Sequence, residues 1–185
     1  MKNKRTFFAI KPGYADNINI VYYIITKLED SGCKIHSEHE VKYDFNSAMT
    51  HYASVPEKFR RGAATYLSSG NILALILEDN RPENARGCDF ISHVRNVLGD
   101  TKCTTPGTIR FDVTHSGIFE GEVDNIRNSY GDPSIGIDNI TMNVAHASDS
   151  EESFKREVSI LNNVLDSYHY LPVIADPEDY DEPNA

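Results

Sequence analysis

Six apolar residues follow one another from Ile72 to Leu77 within NILALILE, Asn71 to Glu78. A strand with one wet face alternates apolar and polar residues, so an unbroken run of this length belongs to a central, buried strand. The other segments supply its neighbours. TFFAIK, Thr6 to Lys11, is a short apolar strand ending on a lysine, and Pro12 with Gly13 forces a turn after it. A helix is expected from about Asn19, with Ile20, Ile24 and Leu28 on one face and Gly32 as its left-handed stop. CKIHSEHEV, from Cys33, reads as a strand, and helical stretches around Phe45 to Tyr52 and Pro56 to Leu67 lead into the central one. A further helix around Cys88 to Leu98 presents Phe90, Val94 and Val97 or Leu98, and TMNVA, Thr141 to Ala145, is the fourth strand. The order β-α-β-(α)-β-α-β predicts a ferredoxin-like α+β sandwich, βαββαβ, with a four-stranded antiparallel sheet and surrounding helices.

A chain of 185 residues, 39% of them hydrophobic, has the size and core of one domain, expected over residues 1–175. Two stretches stand apart. The Gly-, Asp- and Asn-rich span between Asp112 and Ile140 is too long for an ordinary connection and reads as a partly ordered inserted loop at about 113–139. The acidic, proline-punctuated end, residues 176–185, reads as a flexible solvated tail. A formal net charge of −10 argues against broad nucleic-acid binding and favours a small anionic ligand held by a few placed cations. Cys33, Cys88 and Cys103 are odd in number and widely spaced, which fits a reducing compartment better than a disulfide framework or a zinc ribbon. No run reaches the roughly 18 apolar residues of a membrane span, and TFFAI is too short for a signal peptide. A cytoplasmic protein is expected.

His146 lies in NVAHASDSEES, among small residues and just before a helix start. Ser148 with Glu151 and Asp149 with Glu152 both have capping-box spacing, and Phe154, Val158, Leu161 and Leu165 form an amphipathic stripe behind them. His146 is therefore expected at a strand-to-helix corner, near the helix end that favours anions such as phosphate. Local context alone favours an ordinary loop histidine. His36 and His39 fall on opposite faces of a strand, and His51, His93, His115 and His169 have no ligand-spaced partners, so each reads as a surface or capping residue. Neither a Walker-type loop nor a Rossmann glycine fingerprint occurs.

FFAIKP, HYAS followed by YLSSG, RNVLGDT, PGTIR and NVAHASDS occur in this order, and together they closely resemble the nucleoside diphosphate kinase family over most of residues 5–165. The HAS variant and the long insertion are similar to some archaeal-type members. The resemblance implies the same ferredoxin-like sandwich, and it makes His146 the nucleophile that takes the γ-phosphoryl of a nucleoside triphosphate and passes it to a diphosphate. It implies that Lys11 reaches the ribose and the phosphate end, that Arg95, Arg110 and Thr101 bind phosphates, and that Asn143 holds a ribose hydroxyl. Tyr52 matches a tyrosine beside the histidine, Ser148 and Glu157 match groups that fix the ring, and Phe59 matches the aromatic on which the base stacks. Magnesium bridging the phosphate oxygens is the implied cofactor. No residue is assigned as a direct metal ligand, although Asp149 is within reach of an ion through water. The partners implied are nucleoside di- and triphosphates and other copies of the chain, as a hexamer or tetramer, with no membrane and no specific nucleic acid. The alternative is a catalytically silent nucleotide-binding or scaffolding relative that uses the insertion and the tail to bind partners.

Overall fold

The computed structural model describes residues 4–130 and 143–168. Four strands, β1 (Arg5–Ile10), β2 (Cys33–Val41), β3 (Ile72–Asp79) and β4 (Ala145–Ala147), form one sheet in the order β2-β3-β1-β4. All three pairings are antiparallel, as the ferredoxin-like order requires. Helices α1 (Ile18–Asp30), α2 (Phe45–His51), α3 (Glu57–Leu67), α4 (Phe90–Leu98), α5 (Ile109–His115), α6 (Glu120–Tyr130) and α7 (Glu151–Ser167) cover it.

Both faces of the sheet are covered, which explains the unbroken apolar runs of β1 and β3. Phe8, Ile10, Leu75, Leu77, Ala145 and Ala147 pack with α1 and with α4 to α6 in one core. Phe7, Ala9, Ala74 and Ile76 pack with α2, α3 and α7 in the other. His146 stands directly opposite Ala9 and so shares its face, because residues paired across a sheet project to the same side. That side is where α7 lies.

Several local expectations hold. Asn17 caps α1 by accepting from the Asn19 and Ile20 amides, and Gly32, at φ +91°, ends it. The fourth strand differs from the expected one: it runs through His146 rather than stopping before it, while Thr141 and Met142 lie outside the described residues. The start of α7 also differs. Its cap is Ser150, paired reciprocally with Ser153, and neither predicted Ser/Asp–Glu box forms. Ser148 is held elsewhere: its amide donates to the Phe7 carbonyl and its hydroxyl to Glu157, so the chain turns into the helix two residues later.

The span expected as a partly ordered loop is helical through Tyr130, because Val123 and Ile126 of α6 have a core to join. This helix closes over the turn after β1. A Cβ on Gly13 would meet Ile126 Cγ2 at 2.7 Å and the Tyr130 ring at 2.9 Å, and the Tyr130 hydroxyl donates to Asp16. Residues 131–142, His169 and the acidic tail lie outside the described residues.

Candidate active site

The site is assembled from the ends of β1, β4 and their flanking helices around a cavity of about 380 Å³. His146 lies on its wall. The ring's Nε2 is 2.8 Å from Glu157 Oε1, and the other carboxylate oxygen accepts from the Ser148 hydroxyl at 2.6 Å. Glu157 projects from α7 toward β4 and is almost fully buried. Desolvation pushes its carboxyl up to about 7, against the lowering effect of the Ser148 hydroxyl. Burial and then the charges of Lys11 and Arg110 push His146 down to about 3. The ring is thus neutral near neutral pH, so the contact is a hydrogen bond rather than an ion pair, with Nε2–H the donor whenever Glu157 is ionised. Fixing the proton on Nε2 leaves Nδ1 with the free lone pair.

The small neighbours of His146 do not leave it uncrowded. Ala145 and Ala147 project to the opposite face of the sheet, while the rings of His51, Tyr52 and Phe7 come within 4.5, 5.9 and 6.3 Å of the His146 ring, centroid to centroid. His51, read as a surface or capping residue, ends α2 fully buried, because Phe7, Tyr43 and Tyr52 enclose its ring. Desolvation holds it at about 3, and neither ring nitrogen has a hydrogen-bond partner among the described residues. An unpaired buried polar group costs on the order of 1–3 kcal/mol. The signal in the sequence was its place in HYAS beside Tyr52, where only the tyrosine was given a role.

The cations come from three elements. Lys11 follows β1, and its buried Nζ donates to Asn143 Oδ1 at 2.8 Å, which ties the end of β1 to the segment two residues before β4. Desolvation, then Arg110, lowers the Lys11 ammonium well below its usual value. Arg110, near the start of α5, is buried; its Nη1 donates to Gly99 O and its Nη2 to Ala145 O, both at 2.8 Å. Desolvation lowers it to about 10. Arg95, on α4, is exposed and lines the cavity, as do Thr101 and Phe59, a residue 44% exposed with Lys58 Nζ 4.7 Å from its ring centroid. Tyr52 carries Lys11 Nζ 6.0 Å over its ring.

Every predicted site residue except Ser148 lines this one cavity, and Ser148 reaches it through Glu157. Lys58, Arg156 and His51 also line it and were not foreseen. The cavity holds two carboxylates, and Glu157 is already engaged by His146 and Ser148. Desolvation works to raise Asp149, but the Ser153 hydroxyl and Arg95 outweigh it and keep that carboxyl below its usual range, ionised beside the cations.

The sequence model of the family described as nucleoside diphosphate kinase matches residues 4–164. The chain is 31% identical to the nucleoside diphosphate kinase of Staphylococcus carnosus over 160 residues, 85% of each protein. It is 32% identical to that of Methanosphaera stadtmanae, covering 85% of this chain and 84% of the relative, and 32% identical to that of Sulfurisphaera tokodaii, covering 86% and 89%. Bacterial and archaeal relatives thus stand at nearly the same distance. A crystal structure of the Aquifex aeolicus nucleoside diphosphate kinase shares the fold with a TM-score of 0.58, at 23% identity, over 85% of this chain and 94% of that one. With the site geometry and a family match that spans nearly the whole described chain, the protein belongs to the nucleoside diphosphate kinase family.

Proposed function

We propose that the protein transfers the γ-phosphoryl group of a nucleoside triphosphate to a nucleoside diphosphate in two half-reactions through a phosphohistidine on His146. The observation that supports this reading is the Glu157–His146 hydrogen bond: an ionised Glu157 accepts from Nε2–H and leaves the Nδ1 lone pair to act as the nucleophile. In the first half-reaction the Nδ1 lone pair forms a bond to the γ-phosphorus. The bond to the β,γ-bridging oxygen breaks, and the diphosphate leaves with that electron pair. The Nε2 proton stays with the ring, whose growing positive charge faces the Glu157 carboxylate. In the second, an oxygen of the acceptor's β-phosphate takes the phosphoryl group back from Nδ1. Arg95, Arg110, Lys11 and Thr101 hold the phosphate oxygens, guanidinium forks suiting phosphate better than a point charge. Asn143 and Lys11 hold the ribose, and Phe59 stacks on the base.

The donor set suits magnesium held mainly by the nucleotide, since Asp149 is the ionised carboxylate left to reach it, through water. When bound, the ion neutralises phosphate charge and keeps the transferring group in line. The same reading assigns one catalytic domain to residues 1–175 with an acidic tail over 176–185, in a homo-oligomer. The exposed apolar residues Ile18 and Tyr22 on one face of α1, 76% and 72% accessible, support association. Cys33, Cys88 and Cys103 are all free, which supports a reducing, cytoplasmic setting. Among the described residues no helix is long and apolar enough to cross a membrane.

The test is steady-state kinetics with ATP as donor and GDP as acceptor in Mg²⁺. Parallel double-reciprocal lines are expected for the wild type, and loss of turnover with retained nucleotide binding for His146→Asn. Saturable binding without turnover in the wild type would favour the silent-relative alternative.

A further inference from the structure

His51, His146 and Glu157 offer two imidazoles and a carboxylate whose ligand atoms all lie within 4.8 Å of one another. We infer that these three side chains form a binding site for a transition-metal dication of the zinc class, distinct from the magnesium that accompanies the nucleotide, and that its occupancy blocks the histidine. Three observations converge. The buried His51 ring has both nitrogens without a hydrogen-bond partner among the described residues, so one is available to a metal without breaking anything. All three side chains line the cavity, which gives an ion a path in. Glu157 is already oriented by the Ser148 hydroxyl at 2.6 Å, the kind of supporting contact that holds a carboxylate ligand in place.

The donor set selects the metal. Two imidazoles with one carboxylate, and a fourth position open to water, suit zinc or cobalt, whereas magnesium prefers an all-oxygen shell. Tetrahedral bonds of about 2.0–2.2 Å need ligand atoms about 3.4 Å apart, a spacing the three must close to from separations of up to 4.8 Å. The cations Lys11 and Arg110 oppose a dication here, while Glu157 and the nearby Asp149 favour it. On binding, the metal takes the Nε2 lone pair of the other neutral tautomer: the proton on Nε2 leaves and Nδ1 gains one from solvent, so the ring stays neutral. The ring is then pinned, and Nδ1 is an N–H with no lone pair to accept a phosphoryl group. This inhibitory consequence rests on His146 being the phosphoryl acceptor; metal binding itself does not.

The test titrates the full-length protein with Co²⁺ as a spectroscopic probe and displaces it with Zn²⁺. One equivalent of Co²⁺ should give the intense visible d–d absorption of a four-coordinate ion, bleached by Zn²⁺. His51→Gln and His146→Asn should each weaken binding by at least about tenfold, and His36→Gln, on the outer strand, should leave it unchanged. Because His51→Gln alters a buried position, each variant is checked by thermal melting, and His146→Asn, on the cavity wall, decides the matter if His51→Gln does not fold. Zn²⁺ at concentrations that bleach the cobalt signal should also slow phosphorylation of His146 by ATP. Absence of a four-coordinate signal, or unchanged affinity in folded His146→Asn, overturns the site. An unlabelled but metal-binding wild type would overturn the kinase reading and leave the metal site standing.

Discussion

Glu157 bears on which nitrogen of His146, the proposed nucleophile, carries the proton. Desolvation raises its carboxyl to about 7, so in acid the group gains a proton, becomes a donor as well as an acceptor, and no longer fixes the proton on Nε2. The imidazole then loses the bias that frees Nδ1. kcat/KM should therefore fall on the acid side with a midpoint near 7. Glu157→Gln, whose amide oxygen accepts at any pH, should lose that limb and run roughly ten- to a hundredfold slower. A limb that persists unchanged in Glu157→Gln would assign it to another group. Stability runs the other way. The folded Glu157 pKa of about 7 lies above the ordinary 4.5, so its contribution is fully present below 4.5 and is lost as the pH rises to 7. His146, lowered from 6.5 to about 3, contributes stability that is present above 6.5 and lost as the pH falls toward 3.

Base recognition also belongs at this scale. In the proposed reading Phe59, an exposed aromatic residue lining the cavity, stacks on the base; stacking accepts any base, while discrimination needs hydrogen bonds to base edges. Phe59→Ala should raise KM for ADP, GDP, CDP, UDP and dTDP together, by about 1–3 kcal/mol each. A loss confined to one base would show an edge-reading contact instead.

Among the elements, β1 and β4 matter most, because their pairing sets Ala9 against His146 and brings Lys11 to Asn143. α6 then packs over the turn that follows β1. Gly13 sits there at φ +80° with no room for a Cβ beside Ile126 and Tyr130. Gly13→Ala should cost about 1–3 kcal/mol from backbone strain and overpacking. Its thermal midpoint should drop, and KM for nucleotides should rise as Lys11 shifts. An unchanged midpoint would mean that α6 is not seated on the turn.

Periodicity made most of these elements legible. The unbroken run of β3 and the stripes of α1, α4 and α7 needed only spacing, and the order of motifs carried the site residues. What was hidden depends on contacts between segments distant in the chain. Helicity of Glu120–Tyr130 comes from a core that Val123 and Ile126 join. The α7 cap moved to Ser150 because Ser148 answers to Glu157 and to the Phe7 carbonyl. His51 did not look buried because, beside its neighbours Tyr43 and Tyr52, its burial is completed by Phe7 and His146 from distant strands.

At the scale of the whole molecule, a chain of net charge −10 gathers Lys11, Lys58, Arg95, Arg110 and Arg156 around one cavity. The sheet buries both faces and leaves its histidine on the side where α7 brings a carboxylate to it. The central claim is that His146 Nδ1 accepts a phosphoryl group. Incubation with γ-labelled ATP and Mg²⁺, without an acceptor, measures it directly. One label per active chain is predicted, stable to alkali, labile to acid, released as labelled GTP on adding GDP, and absent in His146→Asn. An acid-stable label, or equal labelling of His146→Asn, would contradict the account.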